Sequence, residues 1–311
     1  MTNMMATRDA YGEALKELGK MNKDIVVLDA DLSGSTKTGI FREKFPERFF
    51  NVGIAEQNLI GTAAGLATAG KIPFASSFAM FATGRAFEII RNSVCYPNLN
   101  VKIAATHAGL MVGEDGATHQ ALEDIGIMRT LPNMVILSPA DGVEARQCIY
   151  KAAEHIGPVY IRLGRSKVPV IFNEDYEFEI GKGVELREGK DITLIATGVM
   201  VEKALAAADR LSHENICARV INISTIKPID KDIIIKAAKE TRGIVTVEEH
   251  SIFGGLGSAV AEVVVKNTPT YVESIGTNDV VGESGDGNEL LKKYGLDVEN
   301  IIHKAKGILY K

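Results

Sequence analysis

The chain has 311 residues, of which 46% are hydrophobic and 24% charged, as in an average soluble globular protein. This length is enough for two domains, each with a core of its own. The net charge of -5 comes from acidic and basic residues interleaved along the whole chain, without a basic block. The sequence therefore lacks the charge pattern of a nucleic-acid-binding protein or a polybasic membrane segment, and we expect neither partner.

The start of the chain and its cysteines indicate a cytoplasmic protein. The opening MTNMMATRDAYGEAL lacks the positive and then apolar regions of a secretory signal, and no run approaches the roughly 18 apolar residues of a membrane span. Cys95, Cys148 and Cys217 are far apart and form no CxxC pair. We predict that they are reduced core residues.

Short β-branched runs alternate with helical patterns through the first half of the chain. In chain order they include DIVVLDAD, KIPFASS, AFEIIRNSVCY, NVKIAAT, ALEDIGIMRTL, MVILSPA, VEARQCIYKAAEHI and PVYIRLG. Strands such as IVVL and VKIAA are apolar on both faces, which is typical of a mostly parallel sheet covered by helices on both sides. We predict a doubly wound α/β domain over residues 1–168.

The pattern changes after this domain. Residues 169–190 lose the helical period and gain glycine and alternating charge, which predicts a linker with a short hairpin. The alternation then returns in DITLIATGVM, VEKALAAADRLS, ICARVINIS, KDIIIKAAKET, GIVTVEE and GLGSAVAEVVVK. Residues 191–311 are therefore predicted to form a second, smaller doubly wound α/β domain.

Ligands of doubly wound sheets bind at the carboxyl ends of the strands, so the loops there are where a site is expected. Polar clusters follow four predicted strands: DADLSGSTKT, GIAEQN, FAMFATGR and HAGLMVGEDGATHQ. Glu56 in GIAEQN stands at the start of a predicted helix, where an acid stabilises the helix dipole by about 0.3 to 1 kcal/mol. Its neighbours Gly53, Ile54 and Ala55 offer it little solvation, so a catalytic carboxyl is an equal alternative.

Two further pairs of residues have both a structural and a functional interpretation. Phe78 and Phe81, three apart, fit a core stripe or an aromatic platform for a flat ring. His107 and His119 lie in a glycine-rich loop with Asp115 but lack the short spacing of zinc motifs, and we predict no metal site on this chain. The two histidines are predicted to transfer protons or bind hydroxyl groups, and the alternative is a pair of exposed loop histidines.

On these motifs the chain resembles the C-terminal half of transketolase, a thiamine diphosphate enzyme. The resemblance runs nearly end to end through DADLSGST, NVGIAEQN, FAMFATGRAFEIIR, THAGLMVGEDGATHQALEDIGIMR, PNMVILSPAD and EEHSIFGGLGSAVAE. It implies a pyrimidine-binding domain followed by the transketolase C-terminal domain. Glu56 matches the glutamate that hydrogen-bonds N1′ of the cofactor's aminopyrimidine, so that a protein carboxyl controls the cofactor's own acid–base chemistry.

The resemblance also implies the residues that hold the cofactor. Phe78 and Phe81 match the aromatic residues that pack on the aminopyrimidine, where offset stacking adds roughly 0.5 to 1.5 kcal/mol beyond burial. Asp31 matches an acid near the cofactor at the subunit interface. The aminopyrimidine end of thiamine diphosphate is therefore expected on this chain.

Substrate contacts follow from the same resemblance. Ser35, His107 and Arg165 match groups that bind the sugar phosphate, and a guanidinium suits this because it donates two parallel hydrogen bonds. Asp115 and His119 match residues that bind sugar hydroxyls near the reacting carbons. The predicted catalytic residues are Glu56, His107 and His119.

The sequence departs from full-length transketolases in two ways. Where transketolases usually carry a tyrosine three residues after the second phenylalanine, this chain has Gly84 followed by Arg85, so one ring contact is expected to be absent or rearranged. The first domain also has no GDG motif with a downstream asparagine, the signature that holds Mg2+ and the diphosphate. The resemblance therefore implies a separate N-terminal diphosphate-binding subunit that holds Mg2+, in a heterotetramer of two plus two chains. The second domain is expected to have a structural role.

Several functions remain open. The resemblance implies transfer of a two-carbon ketol unit between ketose and aldose phosphates, or between unusual sugars in a specialised transketolase. A deoxyxylulose phosphate synthase-like enzyme and a 2-oxo acid dehydrogenase β subunit share the glutamate and the domain order. His107 with GEDGATHQ favours sugar transfer, whereas Gly84 and Arg85 resemble the synthase. A non-catalytic regulatory subunit of the same fold is the remaining alternative.

Overall fold

The computed structural model describes residues 3–311. Its strands, in chain order, are β1 Met4–Ala6, β2 Ile25–Asp29, β3 Phe49–Asn51, β4 Ile72–Phe78, β5 Lys102–Thr106, β6 Val135–Leu137, β7 Val159–Arg162, β8 Lys167–Pro169, β9 Val184–Arg187, β10 Ile192–Ala196, β11 Ala218–Asn222, β12 Thr225–Lys227, β13 Gly243–Ser251 and β14 Tyr271–Thr277.

The helices connect these strands. They are α1 Thr7–Met21, α2 Ser33–Thr36, α3 Gly39–Lys44, α4 Glu56–Thr68, α5 Phe87–Ile89, α6 Asp124–Arg129, α7 Gly142–Glu154, α8 Met200–Ser212, α9 Lys231–Glu240, α10 Leu256–Asn267, α11 Gly287–Lys293 and α12 Val298–Leu309. Short 3-10 helices lie at Pro46–Arg48 and Leu110–Asp115, and π-helical turns at Phe81–Arg85 and Ile90–Cys95. Across the described part of the chain, no helix combines the length and the apolar character that a membrane crossing requires.

The first domain is built on a seven-stranded sheet with the order β12-β6-β7-β5-β4-β2-β3. Its strands are parallel except for β12, which pairs antiparallel with β6 at one edge. Strand β2 is buried along its whole length. Ile25 and Val27 share a core cluster with residues of α1 and α7, whereas Val26 and Leu28 share one with residues of α4. Helices on both faces thus explain the unbroken apolar run.

The second domain repeats this plan on a five-stranded sheet with the order β14-β13-β10-β11-β9. Neighbouring strands are parallel except for β9, which is antiparallel to β11 at the edge. One face packs with α8 and α12, and the other packs with α9 and α10 in a core cluster that continues into the first domain. The predicted fold class, two doubly wound α/β domains with mostly parallel sheets, is confirmed.

The segment between the two domains differs from the hairpin expected there. Strand β8 pairs with β1, and β9 pairs with β11 of the second sheet, so residues 169–190 contribute to both domains instead of pairing with each other. Strand β12 comes from the second half of the chain yet extends the first sheet. Because these edge strands are hydrogen-bonded to neighbouring strands, fewer backbone N–H and C=O groups are left unpaired where the two domains meet.

The cysteines are all free, as predicted, but the core assignment is wrong for one of them. Cys95 and Cys148 are buried, whereas Cys217 is exposed. Cys217 comes just before β11, and its backbone N–H donates to Asp191 Oδ2 at 2.6 Å. Cys217 is therefore exposed although the residues that follow it are mostly apolar, because it lies outside the buried strand.

A buried carboxyl joins α7 of the first domain to the second domain. Glu144 Oε1 accepts hydrogen bonds from the Asn222 side-chain amide at 2.8 Å and from the Tyr176 hydroxyl at 3.1 Å. Its Oε2 accepts the Ala140 N–H at 2.7 Å. Burial raises the pKa of Glu144 to about 7, against the opposing effect of these hydrogen bonds.

We predict that the free energy of unfolding of the protein falls as the pH rises from about 5 to about 7.5, because the buried Glu144 must then lose its proton. The unfolded carboxyl releases its proton near its ordinary pKa of 4.5, whereas the folded one holds it to about 7. In this window the folded state binds more protons, so the free energy of unfolding falls with rising pH, by about 1 to 3 kcal/mol. Urea unfolding of Glu144→Gln should show a flatter pH dependence than the wild type.

The exposed Glu188 provides the matched control, because Glu188→Gln changes the same functional group where no burial acts on it. This control should follow the wild-type curve. Equal slopes for Glu144→Gln and the wild type would contradict the prediction.

Candidate functional site

The sequence-predicted site residues lie at the carboxyl ends of five neighbouring strands. In spatial order, Arg165 follows β7, His107 follows β5, Phe78 ends β4, Asp31 follows β2, and Glu56 follows β3. Parallel strands bring these loops to one edge of the sheet. Residues from distant parts of the sequence are thereby placed along one row.

Glu56 is the first residue of α4 and is 4% exposed. The preceding Ala55 provides no side-chain cap, so the carboxylate itself lies at the positive end of the helix dipole. Its Oε1 accepts a long hydrogen bond from the Ser77 hydroxyl at 3.4 Å, and its Oε2 lies 3.2 Å from Arg85 Nη1. The helix-start interpretation is confirmed for this carboxyl, and its catalytic role stays a prediction.

Phe78 and Phe81 form an aromatic row with the two predicted histidines. The rings of Phe78 and Phe81 are stacked with centroids 6.0 Å apart, and the His107 ring stacks on Phe78 with centroids 3.8 Å apart. His119 meets Phe81 edge-on at 5.0 Å. Phe78 is buried and Phe81 is partly exposed, and the Arg85 guanidinium lies over the Phe81 ring with its Cζ 4.2 Å from the centroid.

The alternative of two exposed loop histidines is wrong for His107, which is 3% exposed. Burial, followed by the charges of Arg8 and Arg165, lowers the pKa of His107 to about 3, so the imidazole is neutral. Arg8 Nη1 lies 3.4 Å from Nε2, and an arginine can only donate, which makes Nε2 an acceptor. The proton is thereby assigned to Nδ1, which lies 2.8 Å from Thr106 Oγ1.

Arg8 is a site residue that sequence reasoning missed. It lies on α1 and also donates to the Ser35 carbonyl at 3.0 Å, while its buried Nε has no hydrogen-bond partner among the described residues. Burial lowers the pKa of Arg8, the charge of Asp9 opposes this effect, and the charge of Arg165 adds to it. These two cations and the neutral His107, called the anion site below, are chemically able to bind an anion.

Asp31 and Ser35 are carried by a loop that a buried carboxylate organises. Asp29, at the end of β2, accepts hydrogen bonds from the Leu32 N–H at 2.5 Å and from the Thr36 hydroxyl at 2.6 Å. Asp31 has a positive φ of 65° and accepts from the Asn51 amide at 2.8 Å on the exposed side of the loop. Ser35 thus contacts Arg8 through its carbonyl oxygen, whereas Asp31 is exposed to solvent.

The loop after β5 carries Asp115 and His119. Asp115 lies 3.6 Å from Arg165 Nη1, which also donates to the Val112 carbonyl at 2.5 Å. His119 Nδ1 lies 2.9 Å from the Thr118 hydroxyl. The Arg165 contact connects Asp115, one of the hydroxyl-binding candidates, to the anion site.

The second domain holds this loop in place with Glu249 on β13. Its Oε1 accepts the Met111 N–H at 2.6 Å, and the side chain is buried. Burial raises the pKa of Glu249 to about 7, opposed by the nearby charge of Arg162 and by the backbone hydrogen bonds. A carboxylate of one domain thus fixes the loop that bears site residues of the other, which the sequence did not indicate.

Two family models match the chain once this geometry is compared with known proteins. The transketolase pyrimidine binding domain matches residues 3–170, and the transketolase C-terminal domain matches residues 181–301. A strand-end site with a buried glutamate beside stacked aromatic rings is thus found in a pair of transketolase domains. The chain belongs to the transketolase family.

Several relatives cover almost the whole chain. A putative transketolase C-terminal section of Methanocaldococcus jannaschii is 58% identical over 96% of this chain and 94% of its own length. A 6-deoxy-6-sulfo-D-fructose transketolase subunit of a Clostridium species is 42% identical over 96% of this chain and 92% of its own. Human transketolase is 39% identical over 99% of this chain but only 49% of its own length.

A solved structure supports the same assignment. It is described as a split-gene transketolase in an inactive β4 tetramer, and it matches with a TM-score of 0.93 and 58% identity. The match covers 98% of this chain and 99% of that one. The predicted resemblance to the C-terminal half of a transketolase encoded in two parts is therefore confirmed.

We predict that Gly109→Ala disrupts the loop anchor. Gly109 has a φ of 80°, and an added Cβ would lie 2.2 Å from the Glu249 carboxyl carbon, closer than any real contact. The backbone strain and the displaced carboxylate should lower the free energy of unfolding by about 1 to 3 kcal/mol in urea titrations.

Gly307 is the control for this substitution. It lies on the exposed side of α12 with open space where an added methyl group would project, so Gly307→Ala should stabilise by about 0.5 to 1 kcal/mol. A neutral Gly109→Ala variant would show that Glu249 does not constrain this loop.

Proposed function

We propose that this chain is one subunit of a thiamine diphosphate-dependent transketolase that transfers a two-carbon ketol unit from a ketose phosphate to an aldose phosphate. One observation carries the proposal: a continuous row of contacts runs from Glu56 through Arg85, Phe81, Phe78 and His107. The row continues from His107 to the guanidinium of Arg8 on α1. A buried carboxylate and an anion site are thus joined by one aromatic row, as a cofactor and a phosphorylated sugar together require.

The residues present fit the aminopyrimidine of the cofactor. The Arg85 guanidinium is planar and donates N–H, and it contacts both the Glu56 carboxylate, at 3.2 Å, and the Phe81 ring, with its Cζ 4.2 Å from the centroid. A flat heterocycle with a hydrogen-bonding edge can make the same two contacts. Phe78 lies behind Phe81 and extends the apolar surface.

Bound thiamine diphosphate would supply a nucleophilic carbon that cleaves and re-forms the carbon–carbon bond next to a ketose carbonyl. Glu56 would hold the aminopyrimidine edge and share its proton, which a buried carboxyl at a helix start can do without competition from water. Phe78 and Phe81 would fix the ring plane. Asp31, at the exposed edge of the site, is proposed to approach the cofactor across a subunit interface.

The anion site would bind the phosphate end of the sugar. Arg8 and Arg165 would donate charged hydrogen bonds to the phosphate oxygens, with Ser35 and the neutral His107 completing the site. Asp115 and His119 would bind the sugar hydroxyls.

Ketol transfer also needs proton movement. A proton must leave the donor hydroxyl next to the bond that breaks and reach the acceptor carbonyl oxygen where the new bond forms. His119, which meets the aromatic row edge-on, is the proposed carrier of that proton. His107 would act as a neutral hydrogen-bond partner.

The diphosphate and Mg2+ are proposed to lie on a separate N-terminal subunit, in a cytoplasmic heterotetramer of two plus two chains. The support is that relatives which this chain covers nearly end to end are described as a C-terminal section and as a subunit. Human transketolase, by contrast, is matched over 49% of its length.

A sulfonated sugar is a second candidate substrate. The Clostridium relative, 42% identical, is described as a 6-deoxy-6-sulfo-D-fructose transketolase subunit. Two arginines beside a neutral histidine can bind either a phosphate or a sulfonate, since both present three terminal oxygens.

Ketol transfer should require both chains. The assay uses xylulose 5-phosphate or 6-deoxy-6-sulfofructose as donor and ribose 5-phosphate as acceptor, with thiamine diphosphate and Mg2+, for this chain alone and with its diphosphate-domain partner. Activity in the pair supports the proposal. Pyruvate as donor tests the synthase and 2-oxo acid alternatives. An assembled pair that turned over pyruvate but neither of the ketose donors would contradict ketol transfer.

We predict that Glu56→Gln lowers kcat in the assembled pair by about 100-fold or more, because an amide cannot share a proton with the cofactor. Glu154→Gln, an exposed matched substitution on α7, should leave kcat unchanged. Size-exclusion chromatography should show both variants assembled. Full turnover by Glu56→Gln would exclude the cofactor role of this glutamate.

We predict that Arg8→Gln raises the KM for the phosphorylated donor by about 10- to 100-fold with little change in kcat, because a charged hydrogen bond to phosphate contributes about 1.5 to 3 kcal/mol. Unphosphorylated xylulose should be affected little by the substitution. Arg42→Gln, on the exposed helix α3, is the matched control. Equal losses on both sugars would place Arg8 outside the phosphate site.

A further inference from the structure

The carboxylate of Glu56 is already engaged by a residue of its own chain. Arg85 Nη1 lies 3.2 Å from Oε2, while the Ser77 hydroxyl is 3.4 Å from Oε1. The Glu56 side chain is 4% exposed and that of Arg85 is 53% exposed. The pair therefore joins a buried acceptor to a donor that reaches in from solvent.

The same guanidinium covers the aromatic surface. Arg85 Cζ lies 4.2 Å from the centroid of Phe81, within the range of a cation–π contact. The two contacts, one to the carboxylate and one to the ring, are those that the proposed function requires of the aminopyrimidine. An aminopyrimidine that used the same carboxylate oxygen and the same ring face would exclude the guanidinium from the site.

The backbone of Arg85 is fixed independently of its side chain. Arg85 ends the π-helical turn Phe81–Arg85, and its carbonyl accepts a hydrogen bond from the Gln57 side-chain amide at 3.2 Å. At the preceding Gly84, an added Cβ would lie 3.1 Å from the Met80 methyl group, so a larger side chain there would press on Met80. The guanidinium can thus swing outward about its own bonds while the turn stays in place.

We infer that Arg85 occupies the aminopyrimidine position and must swing off Glu56 and Phe81 before thiamine diphosphate binds. The inference rests on the proposed function and adds to it a competitor within the chain. It also assigns a role to Arg85, which follows Gly84 at the point where the sequence departs from the pattern that the transketolase resemblance implies. While the guanidinium is in place, Glu56 has a partner and Phe81 is covered.

Removal of the competitor should strengthen cofactor binding. Apparent affinity falls in proportion to the fraction of molecules in which the site is free, so Arg85→Met should lower the Kd for thiamine diphosphate by about 3- to 10-fold. Arg91→Met is the matched control, because Arg91 is exposed on the next π-helical turn and hydrogen-bonds Asn92. Its Kd should equal that of the wild type.

The measurement is isothermal titration calorimetry with thiamine diphosphate and Mg2+, on the full chain assembled with its partner. A double-mutant cycle with Glu56→Gln tests the mechanism, because the gain from Arg85→Met should shrink when no carboxylate is left to compete for. Circular dichroism of each variant checks that the fold is retained.

The outcomes separate this inference from the proposed function. A Kd unchanged or raised in Arg85→Met, with binding weakened by Glu56→Gln, overturns the competitor role and leaves the cofactor site intact. Binding that is insensitive to both Glu56→Gln and Phe81→Ala, or absent in every variant, overturns the cofactor site and the inference together.

Discussion

A buried carboxylate from the second domain, Glu249, is the constraint on which the candidate site depends. It accepts the backbone N–H of Met111 and so fixes the start of the loop that carries Asp115 and His119. The adjacent Arg162 adds a second tie, because its guanidinium donates to Asp124 at 2.8 Å and to the Glu249 carbonyl at 2.9 Å. Burying charged groups is costly unless they are paired and hydrogen-bonded, so these contacts favour the observed packing of β13 against the first domain.

The candidate site combines this support with one group, Arg85, that we propose is movable. Strand ends and a carboxylate-anchored loop hold His107 and Phe78 in fixed positions, and His107 is kept neutral by burial and neighbouring cations. Arg85, by contrast, is half exposed to solvent beside Glu56. A site with rigid walls and one exchangeable cation can keep its buried carboxylate hydrogen-bonded before a ligand arrives, which avoids an unpaired buried charge.

Local sequence was informative wherever function required an unusual residue type in a strand-end loop. Glu56 among small apolar residues, and His107 in a glycine-rich loop, could be singled out for that reason, and the structure brings both to one edge of the sheet. Arg8 and Glu249 could not be found in this way. Each sits in an ordinary helix or strand, and its importance arises from contacts across 99 or 138 positions in sequence.

The sequence by itself determined the two α/β domains and the family, because apolar runs and loop motifs are local properties that recur every few residues. The tertiary structure decided which of those loops meet and what else reaches them. The antiparallel strand β12 in the first sheet, the exposure of Cys217 and the contact of Arg85 with Glu56 all depend on the packing of distant segments. Such contacts leave no periodic signal, since a single charged residue looks the same on an open surface and over a cofactor site.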